Sequence, residues 1–220
     1  MSSLSVPDAS TDVVMAALRD DAPVAAGDDV RMKVVRALMI GLGGAGLFGI
    51  ALGSFSGSAS QMLASGLKAP MLLLGTTALC FPAFHVMQLT RSARPLTSIQ
   101  ALSVQANALA AIALWWGALS LPLLMLASTV QHYRLAQALA LLVGAAGGLV
   151  GLRRFWAGLL AHGPISRGTM TAYFVLYGVV GAQLSWFLRP FLGAPGQRFE
   201  LLRGLQSNFF AFVFGPLLGA

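Results

Sequence analysis

The chain has 220 residues, of which 57% are hydrophobic and only 10% charged, with a formal net charge of +7 and a mean hydropathy of +0.77. A soluble globular domain carries roughly 25% charged residues, so this composition excludes a water-soluble body and points to a polytopic membrane protein. The positive charge does not imply a nucleic-acid partner. Beyond residue 30 the bases stand singly or in small groups at the ends of apolar runs, as topology signals do, and do not cluster on one soluble face.

Residues 1–30 contain Asp8, Asp12, Asp20, Asp21, Asp28 and Asp29 against one base, Arg19, among small and polar residues. A flexible acidic cytoplasmic tail is expected there, with a short helix over residues 13–18. The first apolar run, residues 37–55, follows Arg31, Lys33 and Arg36. It is too long for the h-region of a typical signal peptide and is read as an uncleaved membrane anchor. Its Gly41-Leu-Gly43-Gly44-Ala-Gly46 matches a dinucleotide fingerprint by letter, but no acid follows at the distance a ribose would need. A packing account fits the same residues. Gly41, Ala45, Gly49 and Gly53 recur every four residues and form one small-residue ridge, with Gly46 off that face.

Residues 57–67 read as a Ser/Gly/Ala link carrying a surface helix, followed by a second span over 69–89 with Pro70 in its first turn. Cys80, the only cysteine, lies in this run, and His85 stands near its end. His85 is a candidate ligand for haem or a metal, but His132 and His162 fall in loops, so a single histidine bonded to a carbonyl fits better. The third span lies within residues 99–129, where Pro122 predicts a kink or a re-entry. The fourth span, 135–152, ends at Arg153-Arg154 and carries a second ridge, Ala136, Ala140, Gly144 and Gly148. The two ridges are expected to pack tightly, against each other or against a partner chain.

After a loop over 162–168 comes the fifth span, residues 169–188, which contains no charge. Twenty helical residues rise about 30 Å, the hydrocarbon thickness of a bilayer. Tyr173, Tyr177 and Trp186 are expected at headgroup level, and Gln183, with Gln105 and Asn107 of the third span, is a candidate for hydrogen bonds between helices. Arg189-Pro190 and the Pro/Gly turn over 193–196 end the helix rigidly. Arg189 is expected to tie the C-terminal segment by bonding its carbonyls, with Glu200 the one carboxylate partner outside the tail. Residues 197–220 read as an interfacial and apolar segment, because a sixth span would have to take in Arg203, Gln206 and Asn208.

With five spans, one side holds Arg19, Arg31, Lys33 and Arg36 of the tail plus Arg91, Arg94, Arg153, Arg154 and Arg167 of the loops. The other holds Lys68, Arg134, Arg189, Arg198 and Arg203, so the N-terminus is expected to be cytoplasmic. A serine nucleophile needs a base and an orienting acid, and zinc needs three or four ligands. Neither set can be assembled from these spans, so no enzyme activity, cofactor or metal is expected.

At this point three stretches resemble a known family: LGSFSG (52–57), LKAPMLLLGTTALCFPAF (67–84) and SWFLRPFLGAPGQRFELLR (185–203). Over residues 36–210 the chain is similar to small bacterial polytopic membrane proteins often labelled as containing an actin-binding WASP-homology domain. The resemblance implies a multi-span inner-membrane protein of unassigned function and transfers no catalytic residues. A weaker likeness, in five spans and a cytoplasmic tail, is to the Yip family of membrane-trafficking proteins.

The expected architecture is therefore all-α, with an acidic tail (1–30), a five-span bundle in the bilayer (31–196) and an interfacial segment (197–220). The expected role is a non-enzymatic accessory or scaffold subunit that packs with membrane partners or with itself. The alternative is a carrier or channel for a small neutral or lipid-like molecule. A continuous polar cavity between the third and fifth spans would favour the second.

Overall fold

The computed structural model describes residues 28–91, 95–129, 133–163 and 165–193. The expected tail helix at 13–18, His132 and the C-terminal segment with Glu200, Arg198 and Arg203 lie outside the described residues. Five helices carry the fold: α1 (Asp28–Ser54), α2 (Ala59–Arg91), α3 (Ser98–Thr129), α4 (Tyr133–Leu160) and α5 (Arg167–Leu188). All five are long and apolar enough to cross a membrane, and no strand occurs among the described residues. Lipid offers no partner to backbone N–H and C=O groups, so an apolar chain of this kind keeps its hydrogen bonds inside helices. The fold is the all-α bundle expected.

Local chemistry sets the ends of the helices. Past α1 the Gly57 N–H donates to the Ser54 carbonyl at 2.9 Å, with Gly57 at φ +70°, a conformation glycine adopts without penalty. At the start of α3 the Thr97 N–H donates to Gln100 Oε1 at 3.0 Å while the Gln100 N–H reaches back to Thr97 Oγ1 at 3.4 Å, a reciprocal cap. Helix α5 stops at Leu188 because Arg189, which precedes a proline, is extended at φ −60°, ψ 153°.

Several expected boundaries move. Helix α1 begins at Asp28, and the supposed link over 57–67 is largely the opening of α2. Pro70 consequently lies in the interior of α2 and not in its first turn, and Lys68 becomes a residue of the helix body. Helix α3 runs unbroken past Pro122, with no re-entry. Helix α4 continues beyond Arg153-Arg154 to Leu160, because Phe155 and Leu159 are buried core residues that reward another two turns. Membrane helices tolerate such prolines where neighbouring side chains and local adjustments re-satisfy the freed carbonyls.

Helix α3 is the axis of the bundle: 44% of its apolar window is buried inside the protein, against 11% for α4 and for α5. Helix α1 packs on α2 and α3, α4 on α3, and α5 on α2. Two cores result. One joins α1, α2 and α3 around Phe48, Leu73 and Trp116, with Phe48 and Trp116 stacked at 4.8 Å. The other gathers Phe84, Val104, Phe155 and Tyr173 from α2 to α5, and the Phe155 and Tyr173 rings lie 5.4 Å apart.

Candidate functional site

The glycines show how α1 fits between two neighbours. A Cβ on Gly49 would overlap the Ser65 carbonyl, and one on Gly53 would lie 2.6 Å from the Gln61 carbonyl oxygen, so both pack directly on the α2 backbone. Gly44, which the four-residue ridge omits, meets α3: a Cβ there would overlap the Ala113 carbonyl. A helix wedged between two others needs two small-residue lines, and the glycine-rich run supplies both. Ala45 is fully buried in the first core, whereas a Cβ on Gly41 would meet nothing within 4 Å. Gly46 is not free of contact, since its Cβ would come within 3.5 Å of the Gly66 carbonyl oxygen.

The second ridge sits differently. Gly144 and Gly148 face open space, and the glycines of α4 that touch α3 are Gly147 at Trp116, Gly151 at Ile112 and Gly158 at Val104. The glycines of the two expected ridges therefore do not meet.

Near the end of α5 the chain turns back onto α2. Gln61, Ser65 and Lys68 share one face of α2 and point at the segment that leaves α5. Gln61 Nε2 donates to the Pro190 carbonyl at 3.0 Å and to the Phe191 carbonyl at 3.3 Å. Lys68 Nζ also donates to Pro190 at 3.0 Å, and Ser65 Oγ donates to Phe191. For Arg189 the expected partners, the C-terminal carbonyls and Glu200, lie outside the described residues. Its guanidinium lies over the Trp186 ring, 3.3 Å from the centroid, a cation–π arrangement. The donors to Pro190, Gln61 and Lys68, are both almost completely buried. His85 stacks on Phe81 and has the Ser98 hydroxyl 3.4 Å from its Nε2, so its neighbour across the helix gap is a hydroxyl and not a carbonyl. Gln183 is half-buried on α5. Among the described residues no three His, Cys, Asp or Glu side chains come together as a metal would require.

The most distinctive feature is a half-enclosed cavity of about 140 Å³ framed by α2, α3, α4 and α5. Its walls are chiefly apolar: Leu109 and Ile112 of α3, Leu152 and Phe155 of α4, and Phe174 of α5. Gly148 and Gly151 keep the α4 wall open. Four polar residues also line it, Thr77, Gln105, Tyr173 and Tyr177. Tyr173, expected at headgroup level, is instead 3% exposed and turned into the bundle.

These polar groups pair between helices. Gln105 Nε2 donates to the Tyr173 hydroxyl oxygen at 2.9 Å. Thr77 Oγ1 donates to the Leu73 carbonyl of its own helix at 3.0 Å, so the Tyr177 hydroxyl, 3.0 Å away, is the donor to Thr77. Gln105 Oε1 is fully enclosed and has no partner among the described residues.

Comparison with protein-family models, with curated proteins and with solved structures finds no match to this chain.

Proposed function

We propose that this chain is a non-enzymatic integral membrane protein whose bundle holds a small neutral or lipid-like molecule. One observation carries the reading, the half-enclosed and largely apolar cavity framed by α2, α3, α4 and α5, with an amide and three hydroxyl side chains among its lining residues. Its polar groups are an amide and three hydroxyls, with no charged residue among the lining. An ion placed there would forfeit several kcal/mol of solvation without a countercharge, so the occupant is uncharged. The largely apolar lining suits a compartment that retains a molecule better than a water-filled conduit for one.

An accessory or scaffold role, with the protein packed against membrane partners or a second copy, is compatible with such an occupant. Helices α4 and α5 leave most of their apolar surface outside the bundle. We place the protein in the bacterial inner membrane with a cytoplasmic N-terminus, on the asymmetry of its Lys and Arg residues and the family resemblance. Lys68 is buried against the Pro190 carbonyl, so the Leu67-Lys68 pair offers no free cation to an actin filament.

Native mass spectrometry of the protein released from detergent micelles tests this reading. A retained small neutral adduct is expected in the wild type and should be lost in Gly148→Leu, which adds a bulky side chain at a residue of the cavity wall. Gly43→Leu, at a position outside the cavity lining, should keep the adduct. Identical spectra for the wild type and Gly148→Leu would refute the reading.

A further inference from the structure

The cavity wall and the cavity mouth together narrow what enters. The polar side chains of the lining are turned to one another: Gln105 Nε2 donates to the Tyr173 hydroxyl, and the Tyr177 hydroxyl lies 3.0 Å from Thr77 Oγ1. Gln105 Oε1 is enclosed, out of reach of any occupant. Nearly all of the surface left for an occupant to touch is carbon. Such a wall forfeits dispersion contacts when nothing lies against it, and a hydrocarbon restores them without displacing any hydrogen bond.

The mouth opens sideways. Of the four helices that frame the cavity, α2 packs on α3 and on α5, and α3 packs on α4. Among the described residues α4 and α5 do not pack along each other; they meet where the Phe155 and Phe174 rings lie 6.0 Å apart. Gly148 of α4 lines the cavity and is also exposed on the outside of the bundle, so the opening reaches the surface there. Across the gap stands Tyr177, midway along α5 (Arg167–Leu188) and thus about 15 Å from either end of that helix. Half the hydrocarbon thickness of a bilayer is also about 15 Å. The mouth therefore faces the depth at which the tail ends of lipids lie, far from headgroups and water.

We infer that the cavity takes up the terminal part of a lipid acyl tail, admitted sideways from the bilayer between α4 and α5. This inference rests on the reading of the cavity as a ligand compartment. The tail end lies against Leu109, Ile112, Leu152 and Phe174, while the headgroup and the upper part of the same lipid stay outside the bundle. An apolar cavity of about 150 Å³ takes up a benzene-sized molecule, so a volume of about 140 Å³ suits an alkyl segment of similar bulk.

Photo-crosslinking of the full chain in phosphatidylcholine nanodiscs tests this directly. Two phosphatidylcholine probes are compared, one with a diazirine near the methyl end of a tail and one with it next to the ester. The methyl-end probe should modify Leu109 and Ile112, which are buried in the bundle and closed to lipid that stays outside; the ester-end probe should not. Gly148→Trp sets a large side chain in the mouth, at a position where a Cβ meets nothing within 4 Å, and should abolish that modification. Gly144→Trp, one turn away and equally open but outside the cavity lining, should keep it. If Leu109 and Ile112 are unmodified while a neutral adduct persists in native mass spectra, the tail inference is overturned and the compartment reading stands. Equal modification by the two probes, or the same result for Gly148→Trp and Gly144→Trp, would also overturn the sideways entry of a tail end. With neither modification nor adduct, both are overturned.

Discussion

Lys68 reaches from the body of α2 to the carbonyl of Pro190, 122 residues later in the chain, and donates to it at 3.0 Å. Gln61, seven residues earlier on the same helix, donates to the same oxygen. Two donors on one acceptor back each other up, so removing either alone leaves the carbonyl bonded. Lys68→Met and Gln61→Leu are each expected to cost less than about 1 kcal/mol, whereas the double variant strands a part-buried carbonyl at about 1–3 kcal/mol. The excess over additivity is the quantity to measure, by a double-mutant cycle of unfolding in detergent. Strict additivity would mean that the bonds are incidental. Faster tryptic cleavage after Arg198 and Arg203 should accompany the double variant.

The crossing of α1 and α2 yields a sharper expectation. Gly49→Leu places a side chain where the Ser65 carbonyl already lies. Overpacking of this kind costs typically 1–3 kcal/mol, and a backbone obstacle that cannot rotate away puts the effect at the upper end. Gly44→Leu, against the Ala113 carbonyl of α3, should be as damaging. Gly43→Leu is the control, since a Cβ there meets nothing within 4 Å. Melting temperatures in one detergent distinguish the three, and equal values for Gly43→Leu and Gly49→Leu would remove the close crossing from the account.

Much of this fold is legible in the sequence. Five uncharged runs of bilayer length leave little freedom, and the small residues at Gly49 and Gly53 announce a close approach whichever neighbour makes it. Lys68 shows where such reading stops. A lysine beside an apolar run reads as the edge of a span, so the second span is begun after it. The carbonyl that lets it enter the helix body belongs to residue 190 and is invisible locally. The reciprocal cap of Thr97 and Gln100 does carry a sequence signature, T-x-x-Q just ahead of an apolar run, and places the start of α3 without any structure. Tyr173 is the opposite case. Near the end of a span an aromatic with a polar tip signals the interface, and only the presence of Gln105 on another helix explains why this one turns inward. The cavity was beyond reach for the same reason, because it depends on how far α4 and α5 stand apart and not on any residue taken singly.

The arrangement of the helices bears on topology. Five crossings, one for each helix long and apolar enough to span a membrane, would put Asp28 and Gly193 on opposite sides. Given a cytoplasmic N-terminus, reporters fused after Gly193 and after Ala220 are both expected to be active only outside the cytoplasm. Activity outside after Gly193 but inside after Ala220 would add a sixth crossing to the C-terminal segment.

Photolabelling puts the binding compartment to the most direct test. A small alkane bearing a diazirine, added to the protein in lipid nanodiscs and mapped by peptide mass spectrometry, reports where an apolar molecule resides. Labelling should concentrate on the peptides around Ile112 and Leu152, saturate, and be displaced by excess of the unlabelled alkane. Gly148→Leu should suppress it. Non-saturable labelling spread over the outward residues Leu141, Leu142, Leu149 and Val175, all of them exposed on the surface of the bundle, would show that the alkane meets this protein only as it meets any membrane surface, and would contradict the account.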